Sequence, residues 1–492
     1  MAGAVGGWLW RANGTSRRCV HRTSGFLALV LTMVTLAGCA SVPTLPGPPA
    51  VPATWHHLPP DATPAPADLR VWWHAFGDAQ LNALVDRALA DNLEVAQAAA
   101  RLRAARTLVA HAHDAQLPAL HVRTNDVINP DTSASYFLMG FDARWELPLF
   151  GAWQSAQRVA QGQAQSAQAQ WRGARVSLVA EVVRRWLELR AAQQQAQTLD
   201  TMQVAWEEKQ RLLEVRHRLK LASPVDLARV QAELAHLEIA HADARQAITR
   251  SAQQLAVLVG QNEPDTGWLD AGPQPSLGEW HLTSAPADML RTRPEIALAE
   301  AEVLRTAGEL GLSRAEMYPR VGLGTSLQWS VNVATNRSRT RTGESIFSAG
   351  PAIDIPLFDW GRRVANAHAK DHELQAALLA YRQAVLQGVA ETEIALDELE
   401  QAGQRERAAS RGARAVQVSA NAMRRRATLG LASGLDVQDG LIEEQRAALD
   451  VITARAARGI AYVTLYKALG GAPWPASSPD PRSLTPVAAG AP

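Results

Sequence analysis

Few side chains in this 492-residue chain stand where they could do chemistry. The histidines come nearest. His111 and His113 flank Ala112 beside Asp114, and His56 adjoins His57 in a proline-rich stretch. A zinc-type site needs three or four converging donors, and no second ligand cluster accompanies either pair. No Gly-rich loop closing on Lys-Ser or Lys-Thr is present to cradle phosphates, so the chain does not power an energy-consuming step itself. No nucleophile and base occur in a recognisable local arrangement. The chain is therefore read as no enzyme, with no cofactor and no metal site. Two carboxylates remain. Asp436 follows Leu431-Ala432-Ser433 at the start of a helical stretch, and Asp439 lies three positions on, on the same helix face. An aspartate at a helix start accepts backbone N–H groups, and Asp226, after Leu221-Ala222-Ser223, suits that role equally.

One thiol is placed for modification. Residues 1–38 carry Arg11, Arg17, Arg18 and Arg22 without an acidic residue, then an apolar run from Phe26 to Leu36, and end in Leu36-Ala37-Gly38-Cys39. The apolar run is too short to span a bilayer and has secretory proportions. The sequence resembles a bacterial lipoprotein signal peptide, which implies cleavage before Cys39 and acylation of its thiol. In lipoproteins of this kind an aspartate after the cysteine goes with inner-membrane retention. Ala40 and Ser41 stand here instead, so the outer membrane is expected. Without the signal the chain keeps 45 basic residues against 48 acidic ones, no basis for a nucleic-acid partner. Cys19 lies in the signal, so an internal disulfide is excluded. Residues 39–66 are proline-rich, which predicts an extended, lipidated tether without a core.

The rest of the chain says the same thing twice. Asn92-Leu93-Glu94-Val95-Ala96, Leu117-Pro118, Leu147-Pro148-Leu149-Phe150 and Leu221-Ala222-Ser223-Pro224-Val225-Asp226 return in the same order as Arg293-Pro294-Glu295-Ile296-Ala297, Tyr318-Pro319, Ile355-Pro356-Leu357-Phe358 and Leu431-Ala432-Ser433-Gly434-Leu435-Asp436, at offsets of 201, 201, 208 and 210. This predicts two copies of one unit, over 67–260 and 291–472, joined by an aperiodic segment 261–290 and followed by a disordered tail 473–492. Each copy opens with an amphipathic helix, the first through Asp78–His113 and the second from Pro294.

A strand pair follows in each copy, near 119–129 and 135–148, then near 320–334 and 344–356. Val321, Leu323, Leu327, Trp329 and Val331 alternate with Gly322, Gly324, Ser326, Gln328 and Ser330. Such alternation suits a tilted transmembrane strand, or a two-faced sheet in a soluble domain. No proline interrupts Pro148 to Pro224 or Pro356 to Pro473, which predicts helices over 152–218 and 361–428 of roughly 100 Å each at 1.5 Å per residue. They are rich in alanine, glutamine and arginine, a composition for close helix packing in water. The repeated turns near Ser223-Pro224 and Ser433-Gly434 make hairpin tips, with return helices starting at Asp226 and Asp436 and running to about 260 and 470. Four strands cannot close a barrel in lipid, so transmembrane strands would require several chains.

The run Val71-Trp72-Trp73-His74-Ala75-Phe76-Gly77-Asp78-Ala79-Gln80-Leu81-Asn82, the Leu-Pro-Leu-Phe and Ile-Pro-Leu-Phe boundaries and the paired Leu-Ala-Ser turns resemble the TolC-like outer membrane factors. With the signal-peptide cysteine, the chain is most similar to their lipoprotein branch, the NodT-type channels of tripartite pumps of the resistance-nodulation-division class. The resemblance covers about 66–472. It implies a mainly helical fold with a transmembrane β-barrel: a homotrimer with four strands per chain in a shared twelve-stranded barrel and a long periplasmic tunnel of helices. It implies a periplasmic adaptor (membrane fusion) protein and an inner-membrane pump as partners, and passive exit of small molecules or drugs as the function. The alternatives are an exit channel for type I protein secretion and a structural periplasmic coiled-coil lipoprotein.

The family also places acidic residues after the second tip, where the tunnel narrows. Here these are Asp436 and Asp439, rings of three carboxylates in a trimer, whose crowding would raise their pKa values. The first copy has Arg229 opposite Asp439, and the second turn offers no basic residue for a latch. Leu221, Ala222, Ser223, Leu431, Ala432 and Ser433 would dock the adaptor, or serve only as turn residues. If Cys39 carries the lipid, Cys39→Ser should abolish incorporation of labelled palmitate, and retained label would disprove the anchor.

Overall fold

The computed structural model of the chain describes residues 51–52, 54–57, 69–112, 114, 117–127, 136–278, 292–332 and 344–471. The signal peptide, Cys39, most of the tether, the loops near 129–133 and 336–340, part of the 261–290 segment and the tail lie outside the described residues. In chain order the elements are a 3-10 helix Leu69–Phe76, α1 (Ala79–Asp91), α2 (Leu93–Ala110), β1 (Ala119–Val127), β2 (Tyr136–Glu146), α3 (Ala152–Arg218), α4 (Pro224–Leu258), α5 (Thr266–Leu269), α6 (Pro294–Ala315), β3 (Arg320–Asn332), β4 (Glu344–Asp354), α7 (Trp360–Thr428) and α8 (Gly434–Ala468). The two halves thus follow one order: helix, strand pair, very long helix, return helix. The described residues divide into two compact units, one of 109–161 with 304–375, the other of 51–108 with 162–303 and 376–471.

In the first unit the four strands form one antiparallel sheet, ordered β1-β2-β3-β4. The register carries the alternation across all of them. Val122 pairs with Phe141, Phe141 with Leu327, and Leu327 with Phe347. One step along, His121 pairs with Asp142, Asp142 with Ser326, and Ser326 with Ser348. Directly paired residues share a face, so one face is apolar and the other polar. Leu120, Val122, Met139, Phe141, Leu323, Phe347 and Ile353 are all exposed. On the polar face Ser326 and Ser348 share a hydrogen bond of 2.9 Å, and Arg123 stands 3.8 Å from Asp142. At Gly140 the strands approach so closely that a Cβ would meet the Leu327 carbonyl oxygen at 2.4 Å and Gln328 Cα at 2.8 Å, backbone atoms with no rotamer to escape into. β2 and β4 end at Glu146 and Asp354, two residues before the expected 148 and 356, because Pro148 and Pro356 cannot donate to a ladder.

The second unit is helical. Its core gathers the aromatic run of the 3-10 helix: Trp72 stacks on Tyr466 at 4.4 Å, and Trp186 is fully buried. The Asp78 carboxylate accepts from Gln80 N–H at 2.8 Å, starting α1, and from the Trp186 indole N–H at 2.7 Å, tying α1 to α3. Burial of Tyr462 here pushes its phenol up to about 12.

Two expectations change, at Asn92 and at Trp55, and the linker after α4 proves to have partners. The helix expected through Asp78–His113 breaks at Asn92, whose backbone is extended. The Asn92 carboxamide accepts from Val95 N–H at 3.0 Å and donates to the Leu258 carbonyl at 2.9 Å; a short polar side chain that bonds locally competes with the helix ladder. The segment after α4 is pinned: buried Arg190 donates to the Asp270 carbonyl at 2.7 Å, to Gln80 at 2.6 Å and to Gln193 at 2.7 Å, and Gln193 donates to the Trp268 carbonyl at 2.9 Å. The tether reading placed Trp55 outside any core, yet Trp55 is buried in the aromatic cluster. An indole gains too much from burial to stay in water when a cluster lies within reach.

Candidate functional site

The hairpin tips follow from elementary helix-end chemistry. A helix leaves its last carbonyls and first N–H groups unpaired. At the end of α3, Leu221 N–H bonds the Arg216 carbonyl at 2.8 Å and Lys220 N–H bonds the His217 carbonyl at 2.9 Å. At the end of α7, Leu431 N–H bonds Arg426 at 2.8 Å and Gly430 N–H bonds Ala427 at 3.0 Å. This is the Schellman pairing, which needs a left-handed residue at the turn. Gly430 supplies it at no steric cost (φ 75°), whereas in the first tip Lys220 takes the same conformation (φ 61°).

Two residues on, Ser223 and Ser433 cap the return helices. Each serine hydroxyl accepts from the N–H of Asp226 or Asp436 at 3.3 Å, and each aspartate accepts from its serine's backbone N–H at 3.0 and 2.8 Å. This reciprocal pairing is the capping box. The return helices therefore begin at Pro224 and Gly434, two residues before the aspartates expected to start them. Asp436 acts as third-residue partner of the cap. Backbone and hydroxyl hydrogen bonds from Ser433 hold its carboxyl below the usual aspartate range in a single chain, opposite to the rise that crowding would give. For Asp226, Ser223 does the same.

Asp439 has a different partner. Lys209 of α3 reaches it at 2.5 Å, and Arg446 of α8 reaches Glu233 of α4 at 3.3 Å. Both cations flank buried Trp206, Lys209 Nζ 4.7 Å and Arg446 5.9 Å from the ring. Two charge pairs around one indole thus tie the first hairpin to the second. Gly434 belongs to the same contact: a Cβ there would meet Leu212 at 3.2 Å. Sequence reading found Asp439 but missed Lys209, Glu233, Arg446 and Trp206. The Trp206–Lys209 spacing of three was the only local signal, and nothing in the sequence paired it with position 439.

At the tips themselves, Leu221 and Leu431 are 71% and 64% exposed. The residue after a Schellman turn commonly packs on its own helix; here both leucines are left to the solvent. Leu219, Val225 and Leu429 are exposed beside them. No group of three or more metal-ligating side chains occurs among the described residues. No helix among them is long and apolar enough to cross a membrane.

A sheet with an exposed apolar face, in one chain with helices of 67 and 69 residues, defines a channel subunit of the outer-membrane type. OprN, an outer-membrane channel of solved structure, shares this fold with a TM-score of 0.77 and 25% identity, over 88% of this chain and 99% of that one. The outer membrane efflux protein family model matches residues 84–261 and 285–471, and the chain belongs to that family. It is 28% identical to the pyoverdine export outer membrane protein OpmQ of Pseudomonas aeruginosa, over 90% of this chain and 96% of OpmQ. It is 26% identical to outer membrane protein OprJ of the same organism, over 90% and 95% of the two chains.

Ser433→Ala removes the hydroxyl of the second cap and should cost about 1 kcal/mol, with faster amide exchange over residues 434–437. Because the folded pKa of Asp436 is lowered, its share of tip stability is complete above the ordinary aspartate pKa and is lost as pH falls through the lowered value. Exchange at this tip that is indifferent to both the substitution and acid would show that the cap is idle.

Proposed function

We propose that this protein is the outer-membrane exit duct of a tripartite efflux system, passing small molecules or drugs from a periplasmic adaptor and an inner-membrane pump to the exterior. The carrying observation is the sheet: an exposed apolar face, a polar face, and two outer edges, on β1 and β4, that pair with no other described strand. In lipid such edges must be closed. Three chains with four strands each would make a twelve-stranded barrel, apolar to lipid and polar to the lumen. OpmQ's name, as a pyoverdine export protein, supports the small-molecule reading. An acylated Cys39 would hold each chain to the outer membrane.

The acidic pair is assigned to the narrow end of the duct. Asp439 is 54% exposed beside Lys209, so its charge is available to a passing ion yet tied to the first hairpin. Hydrogen bonds from Ser433 hold the Asp436 carboxyl below the usual aspartate range within one chain, which favours its charged form. Three copies of each around an axis would attract cations. The exposed leucines of the two tips, with Ala222, Ser223, Ala432 and Ser433 beside them, offer an apolar surface for adaptor hairpins.

Two experiments follow. Asp436→Asn with Asp439→Asn should reduce the cation selectivity of single channels in planar bilayers, and unchanged selectivity would refute the acidic rings. Leu221→Asp with Leu431→Asp should leave oligomer yield intact but abolish cross-linking to the adaptor. Full cross-linking would remove the tips from the docking surface.

A further inference from the structure

One carboxylate of the helical unit is held by the chain's own N-terminal segment. Glu393, on α7, is 15% exposed. Its Oε1 accepts from His56 N–H at 2.9 Å, its Oε2 accepts from His57 N–H at 3.2 Å, and His57 Nδ1 lies 3.0 Å from Oε2. Consecutive amides on the two oxygens of one carboxylate form a two-toothed clasp, and hydrogen bonds to an ionised acceptor are the strong kind. Burial raises the Glu393 pKa, but the bonds from His56 and His57 outweigh it and keep the carboxyl below its usual range. Directly before the clasp, the Trp55 indole is buried in the cluster that holds Trp72, Trp73 and Phe76. A polar catch and an apolar plug therefore fix the same short segment, 336 residues from Glu393 in sequence at His57.

We propose that Trp55, His56 and His57 on Glu393 form a clip that sets the length of the strap between the lipid anchor and the helical body. The proposal rests on acylation of Cys39. Cys39 and Trp55 are 16 residues apart, so at most roughly 55 Å can separate them. With the clip open, the next described element begins at Leu69, 30 residues from Cys39, and the limit rises to roughly 100 Å. A shorter strap holds the body at higher effective concentration near the bilayer in which its sheet must pair with other copies. Because effective concentration falls as about the −3/2 power of tether length, opening the clip lowers it roughly 2.5-fold. The clip is thus a device for assembly, and its partner surface is the outer-membrane lipid that the acyl chains enter.

The test uses the full-length, membrane-expressed protein. In wild type, the His56 and His57 amides should be protected in hydrogen exchange, and Glu393→Ala should remove at least about tenfold of that protection. In pulse-chase labelling, Trp55→Ser with Glu393→Ala, which removes plug and catch together, should slow formation of heat-stable oligomer about 2.5-fold. A Gly-Ser insert of about fourteen residues after Ala50, with the clip intact, should slow it to a similar extent, because it gives the strap the same length. In a Cys39→Ser background the same double substitution should add nothing. Unprotected amides in wild type would overturn the clip. A slow double variant beside a normal insert variant, or an equal loss in the Cys39→Ser background, would overturn the strap and leave Trp55 and Glu393 a packing role. A wild-type chain that takes up no palmitate would overturn the anchoring reading and the strap together, whereas the amide protection would still report the contact itself.

Discussion

The structure depends on how the sheet satisfies its backbone. Inside β1-β2-β3-β4 every strand but the outer two has a ladder on both sides. The outer edges of β1 and β4 present rows of N–H and C=O groups, and the face they border is apolar and exposed. Water would pair the edges but not reward the face; hydrocarbon would reward the face but leave each edge group unpaired at a cost of several kcal/mol. In hydrocarbon, closure by further strands would meet both demands. The helical unit has the matching property. Val204, Ile239, Leu379, Leu386 and Val418 are apolar residues exposed on its helices in a single chain.

The tips show how nearly identical local chemistry acquires a direction. Both use a Schellman turn followed by a capping box, so the serine of each Leu-Ala-Ser turn has a sufficient explanation in helix termination, and the exposed leucine does not. The differences lie one step outside that machinery. The first tip bears Lys220 in a conformation that glycine adopts more readily, and Pro224 starts its return helix. The second has Gly430 and Gly434, and the latter leaves room for Leu212 of the first hairpin. Asp439 then finds Lys209 across the same boundary. The asymmetry places the charge contact between hairpins, and the caps within them are alike.

Much of this was legible from particular residues. The absence of proline over two long stretches, with alanine, glutamine and arginine throughout, leaves a helix little reason to stop, and α3 and α7 run 67 and 69 residues. Strict alternation in residues 321–329 shows which side chains share a face before any partner strand is known. Less was legible wherever a short polar residue could choose between a local and a distant partner. Asn92 reads as a tolerable helix residue, yet it breaks a helix because Leu258, 166 residues away, accepts its amide. Trp55 reads as a tether residue because prolines surround it, and only the nearby aromatic cluster makes it core.

The sequence by itself determined the element order, the faces of the strands, the ends of the hairpins and the likeness of the two halves, because periodicity, proline placement and serine caps act within a few residues. Tertiary structure alone decided the distant ties: Asp439 to Lys209, and Glu393 to His56 and His57. A carboxylate accepts from whatever donor the fold brings within about 3 Å. For partners some 230 and 337 residues apart, that proximity is set by packing and leaves no mark on the local sequence.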